Sequence, residues 1–142
     1  MSSGPILITG GTGFVGRSVV KALRSTVPLR LRLLVHQTSP ADLDGSIEMV
    51  RADLADPGSL GRACHGVDSV IHLASEISDD ERRCMLVNGR GTEALVAEAQ
   101  RAGVRCFLYL GNTAVYGYAV HRGVREAETT VAPATPVSRS RA

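Results

Sequence analysis

No apolar run in this 142-residue chain approaches the ~20 residues that a bilayer-spanning helix needs, so no membrane segment is expected. The amino terminus also lacks the basic stretch, apolar core and small-residue cleavage site of a secretory leader. Charge of one sign is scarce: the net value is +2 and the arginines are scattered, which disfavours nucleic acid as a partner. Cysteine amounts to Cys64, Cys84 and Cys106, an odd number without CxxC spacing or a Cys/His set at metal-ligand spacing. That pattern suits reduced thiols in a cytoplasmic protein and gives no reason to expect a metal site. Internal repeats and low-complexity tracts are missing too. A length of 142 residues with 44% hydrophobic and 21% charged side chains fits one globular domain with a real core.

The most informative segment present is Thr9-Gly10-Gly11-Thr12-Gly13-Phe14-Val15-Gly16. It reads as G-x-G-x-x-G from Gly11 and as G-x-x-G-x-x-G from Gly10. The apolar run 5–8 ahead of it suits a buried parallel strand. Val19, Val20 and Leu23 behind it suit the inner face of a helix. Three demands explain the glycines: a sharp strand-to-helix turn, close approach of backbone to a pyrophosphate, and tight packing of helix on strand. Each excludes a Cβ. The free N–H groups of the new helix then face the phosphates. Gly10, Gly13, Phe14, Val15, Gly16 and Arg17 are thus cofactor-binding candidates.

Five apolar, β-branched runs recur, at 6–9, 29–35, 47–50, 67–73 and 104–110. Helix-like stretches separate most of them. The first, 14–25, is stopped by Pro28; Asp56-Pro57 forms an N-cap and N1 pair for a short helix to Cys64; a third helix is expected from Glu81 to Ala102, closed by Gly103. Strands alternating with helices predict an α/β fold of the Rossmann type, a doubly wound parallel sheet with helices on both faces. Ligands in such sheets lie beyond the carboxyl ends of the strands.

After the second run, where an acid would accept from an adenosine 2′-hydroxyl, the chain has Val35-His36-Gln37 and no carboxylate. His36 and Arg17 therefore favour NADP over NAD, the alternative being that both are solvated surface residues. Asp53-Leu54 follows the third run. The carboxylate either accepts from an adenine amino group or N-caps the Pro57 helix. After the fourth run, His72 reads as a strand residue with a satisfied ring, while Leu73, Ala74 and Ser75 let a cofactor lie against the strand end.

Taken in order, Thr9 to Gly16, Asp53-Leu54, His72-Leu73-Ala74, Val87-Asn88 with Gly91-Thr92, Gly103-Val104 and Val115-Tyr116-Gly117 resemble the extended short-chain dehydrogenase/reductases, the NAD-dependent epimerase/dehydratase group. The resemblance implies a Rossmann fold over residues 1–126, a bound nicotinamide dinucleotide, and a substrate domain in a carboxyl-terminal half. Residues 127–142 would be a loop and the start of the family's catalytic helix, so a fragment of a longer protein is expected.

The resemblance also implies a Ser or Thr after the fifth strand and a Tyr-x-x-x-Lys beyond it. Those positions fall on Asn112, Val137 and Arg141. Val137 has no ionisable proton. Arg141 stays charged and can only donate, and Asn112 can polarise a carbonyl through its amide without relaying a proton. Thr113, if extended, points away from Asn112. Tyr116, Tyr118 and His121 remain as proton sources, and Ser75 as a polar contact near the nicotinamide. Two readings follow. One is an atypical ketoreductase that reduces a small-molecule carbonyl, with Asn112 and Ser75 stabilising the developing alkoxide. The other is a dinucleotide-binding protein without catalysis, acting as a redox sensor or structural partner.

Overall fold

The computed structural model describes residues 4–26, 28–37, 45–116, 125 and 140. Five strands, β1 (Ile6–Thr9), β2 (Leu31–Val35), β3 (Glu48–Arg51), β4 (Ser69–His72) and β5 (Cys106–Tyr109), pair in parallel in the order β3-β2-β1-β4-β5. The chain starts in the middle of the sheet, works outwards to β3, then crosses to the other side of β1. That reversal makes the gap between the ends of β1 and β4 the switch point where such sheets hold ligands.

Parity along the strands divides the core. Leu7, Leu34 and Val70 face one way, onto α2 (Leu60–Cys64) and α4 (Gly91–Arg101), through Leu60, Cys64, Leu95 and Ala99. Ile8, Leu33 and Val35 face the other way, onto α1 (Phe14–Thr26) through Val20 and Leu23. Both faces are thus covered, and the continuous apolar runs are those of strands buried on both sides. The strands β2, β4 and β5 are shorter than their apolar runs. The outlying residues Leu29 and Arg30 before β2 are exposed, and only the Arg30 carbonyl, which accepts from Ile6 N–H, extends the ladder. No helix among the described residues is long and apolar enough to cross a membrane.

Caps fall where the sequence puts them. Asp56 accepts from Gly58 N–H ahead of the turn Pro57–Ser59, and Gly103 closes α4 with φ +74°. The predicted single helix from Glu81 to Ala102 is instead three pieces: α3 (Glu81–Cys84), a π-helical turn Met85–Arg90, and α4. Widened turns of this kind favour functional sites. Within it the Asn88 side chain reaches out of the helix to the backbone of Glu76.

α4 sits on the loop after β3 with no room to spare. A Cβ on Gly91 would lie 2.7 Å from the carbonyl oxygen of Leu54. Gly91→Ala should therefore destabilise the fold by about 2 kcal/mol, the scale of overpacking a core, measured by urea denaturation. Gly45→Ala, whose Cβ meets nothing within 4 Å, is the comparison and should not.

Candidate cofactor-binding site

A cleft of about 360 Å³ opens at the carboxyl ends of β1 to β4. Gly10 and Thr12 come from the β1 turn, His36 and Gln37 from the end of β2, Asp53 and Leu54 from the end of β3, and Ala74, Ser75 and Glu76 from the end of β4. Arg83, Leu86 and Val87 form the remaining wall. The position agrees with the expectation that ligands lie beyond the strand ends.

The glycine turn is built by exclusion. Gly10 has φ +70°, and a Cβ there would lie 2.6 Å from the backbone nitrogen of Ala74. A Cβ on Gly16 would collide with the Gly10 carbonyl oxygen. Gly13 N–H donates to that same carbonyl at 3.0 Å, and Arg17 N–H donates to Gly13, so α1 starts immediately. The cradle is one that side chains would fill, which is what a pyrophosphate against backbone requires. Phe14 and Val15 head the helix as exposed residues, and neither they nor Gly13, Gly16 and Arg17 belong to the cleft wall. Arg17 is tethered to the turn, its Nε donating to the Thr12 carbonyl at 3.0 Å. Leu73 packs its side chain with Ile8 and Leu33 on the α1 face, where β4 parity turns it, and is not among the residues lining the cleft.

His36 and Asp53, read separately from the sequence, form one unit. His36 Nε2 lies 2.9 Å from Asp53 Oδ2, while Asp53 Oδ1 accepts from Ala55 N–H at 2.8 Å. Asp53 is not the N-cap of the Pro57 turn; Asp56 is, being one residue before Pro57. The absence of a carboxylate after β2 is thus local to the sequence, since β3 brings one alongside.

His72 is fully buried and satisfied, as expected. Thr9 Oγ1 accepts from Ala74 N–H at 3.2 Å and meets His72 Nδ1 at 2.5 Å; His72 Nε2 meets Thr92 Oγ1 at 2.9 Å. The chain of bonds ties β1, β4 and α4 together beneath the cleft. Burial, with Glu98 nearby, pushes the Cys64 thiol up to about 11, so it is an inert core thiol. Among the described residues no cluster able to hold a metal is found.

Sequence reasoning missed three polar residues that shape the wall. Asn88 is buried; its Oδ1 accepts from Glu76 N–H at 2.8 Å, and its Nδ2 donates to Glu76 O at 2.9 Å and to Ser140 Oγ at 2.8 Å. Glu76 Oε1 accepts from Ser78 N–H at 3.1 Å, and Oε2 takes the Arg83 Nε–H. Only Asn88 carried a signal, as part of the Val87-Asn88 motif. Ser75 lines the cleft, donating to the Glu76 carbonyl at 3.3 Å, but Asn112 does not line it. The parity argument against Thr113 also fails: β5 ends at Tyr109, and Thr113–Tyr116 is a 3-10 turn. Tyr118, His121, Val137 and Arg141 lie outside the described residues.

A sequence model described as the NAD dependent epimerase/dehydratase family matches residues 6–141. The chain belongs to this family. Ceramide reductase of Caulobacter vibrioides is 36% identical over 108 residues, covering 74% of the chain and 34% of that protein. Sterol demethylase protein B of Methylococcus capsulatus is 33% identical over 134 residues, 92% of the chain and 40% of that protein. Among solved structures, a short-chain dehydrogenase/reductase superfamily protein of Agrobacterium tumefaciens with bound NAD superposes with a TM-score of 0.83 at 33% identity. It covers 96% of the chain and 41% of that protein. The chain spans about two fifths of the length of the relatives it matches. Family membership and the cradle agree on a nicotinamide dinucleotide as the cofactor class.

Two outcomes test the wall. Asn88→Ala leaves the Glu76 N–H without its acceptor, while the Glu76 carbonyl keeps the Ser75 hydroxyl, and should lower stability by about 1 to 3 kcal/mol in chemical denaturation. Glu76 is held below the ordinary carboxylate range, first by the Arg83 hydrogen bond and then by Ser78 N–H. Its contribution is complete above the free-glutamate value and is lost as pH falls through the depressed one. A carboxyl-carbon NMR titration should show Glu76 protonating below the exposed glutamates, and Arg83→Gln should raise its midpoint.

Proposed function

We propose that the chain is the cofactor-binding part of an oxidoreductase that reduces a small-molecule carbonyl by hydride transfer, takes NADP in preference to NAD, and works in the cytoplasm. The observation that carries the cofactor reading is the cleft at the switch point, floored by a turn in which Gly10 and Gly16 leave no space for side chains. A bound reduced nicotinamide supplies the hydride. The protein's own part is to hold it, to exclude water and to polarise the carbonyl. Gly10 and Thr12 would receive the pyrophosphate, with Leu54 and Val87 against the adenine and Ala74 and Ser75 against the strand-end side of the cofactor.

Carbonyl reduction is favoured over epimerisation or dehydration because those reactions need a phenol to remove a hydroxyl proton, and the matching position is Val137. Polarising a ketone demands less: the Asn112 amide can donate to the oxygen, and water or an acidic hydroxyl on the substrate can supply the proton. A relative named for ceramide reduction supports the same chemistry. NADP is favoured because the residue after β2 is His36, and Asp53, the acid nearest to it, already has its oxygens engaged by His36 and Ala55. The three free cysteines fit a reducing compartment. A second reading, binding without turnover, is favoured by the replacement of both Tyr and Lys positions by Val137 and Arg141.

Purified protein mixed with NADPH and a panel of aromatic polyketones should oxidise the cofactor. Tight binding with no turnover would instead favour the sensor. Asn112→Ala should slow turnover by roughly a hundredfold, the scale of removing one oxyanion donor, and an unchanged rate would take Asn112 out of the mechanism. Tighter binding of NADH than NADPH would overturn the cofactor preference.

A further inference from the structure

Arg83 lines the same cleft as Gly10 and Thr12 of the glycine turn, yet neither the family motifs nor the strand-end residues include it. Its position is fixed at several points. Its backbone N–H donates to Asp80 Oδ1, the cap of α3, at 3.1 Å, and its Nε donates to Glu76 Oε2. Glu76 is itself immobilised, by Ser78 N–H on the other carboxylate oxygen and by the two Asn88 bonds to its backbone. A guanidinium has five N–H donors, and only the Nε one is engaged; the two terminal NH₂ groups have no partner among the described residues.

The charges on the wall point the same way. Two carboxylates, Asp53 and Glu76, line a cleft that would receive a ligand with at least two phosphoryl charges. Besides His36, Arg83 is the basic residue of that lining, and it lies within electrostatic reach of Asp53. The backbone donors of the glycine turn are neutral. They orient a phosphate and favour its charge only partially, carrying no full positive charge to set against Glu76.

We propose that Arg83 is a phosphoryl anchor for the bound dinucleotide, held by Glu76 through Nε and presenting its terminal N–H groups to phosphate oxygens. The assignment rests on the cofactor reading above. A planar fork with one edge docked on a carboxylate and the other free matches a tetrahedral oxyanion, which an ammonium at the same place would meet as a single point charge. Glu76 then preorganises a cation and is not itself a ligand.

The test measures affinity for NADH, NADPH and adenosine, which carries no phosphate, in wild type, Arg83→Gln, Arg83→Lys and Arg82→Gln. The last removes the same charge one residue away, at a side chain outside the cleft wall. Arg83→Gln should weaken dinucleotide binding roughly tenfold, the effect expected of a charge-assisted hydrogen bond. Arg83→Lys should recover part of the loss, while Arg82→Gln and adenosine affinity should stay at wild-type values. An equal loss for NADH and NADPH identifies the diphosphate as the partner; a loss confined to NADPH identifies the 2′-phosphate. Unchanged dinucleotide affinity in Arg83→Gln overturns the assignment, as does an equal loss for adenosine, which would mark a role in shaping the wall only. A wild-type protein that binds neither dinucleotide overturns the cofactor reading itself, and the anchor with it.

Discussion

The backbone of β1 runs into the end of β4 at a distance that only glycine permits, and the rest of the site is arranged around that contact. Ala74 N is where a Gly10 Cβ would have to go, and Gly10 O is where a Gly16 Cβ would have to go. The turn is therefore clamped between β4 on one side and the first turn of α1 on the other. Beneath it, the Thr9 hydroxyl accepts from Ala74 N–H and shares a hydrogen bond with the His72 ring, which reaches Thr92 on α4. These bonds tie the two central strands and α4 to the geometry of the turn. An open cleft at the switch point is the result of this packing, not of a missing side chain that another residue would replace.

Most of the fold was legible because its signals are local. The order of apolar runs, the cap pair Asp56-Pro57 and the glycines of the first turn each report on neighbours a few residues away. The paired faces of the sheet follow from parity once the strands are known, and the alternation Leu7/Ile8 or Leu33/Leu34 falls to opposite cores. What parity could not supply was where strands stop. Leu73 went to the α1 face where a cofactor contact was expected, and Thr113 left the strand altogether for a 3-10 turn. On such a turn positions three apart share a side, so Thr113 and Tyr116 are neighbours there and the alternation rule does not apply.

The charged contents of the cleft were illegible for a different reason. His36 meets Asp53 across the β2–β3 crossover, and Glu76 meets Asn88 across a loop and a helix start. Nothing in the run Asp79-Asp80-Glu81-Arg82-Arg83 separates the arginine that lines the cleft from the one that does not. Only the direction of α3, fixed by the Asp80 cap and the Asn88 clamp, makes that choice. A rule based on the residue after β2 was likewise incomplete, since sheet pairing places Arg51 of β3 beside Val35 and so carries Asp53 to the same end.

The cleft wall thus presents its acids already partnered: Asp53 with His36 and Ala55 N–H, Glu76 with Arg83 and Ser78 N–H. Unpartnered carboxylates would oppose an anionic ligand at every point along the strand ends. Partnered ones act as fixed supports that aim a basic side chain, and the basic side chain meets the ligand. The neutral turn and the two acid–base pairs are therefore complementary. Close approach comes from the missing Cβ atoms, and charge matching comes from the wall. Neither alone would hold a phosphorylated nucleotide in register. The turn offers donors to any small anion, and the pairs sit on a half-exposed rim where water screens them. Both line one cleft, so a ligand long enough and charged enough to meet the turn and the wall together engages both.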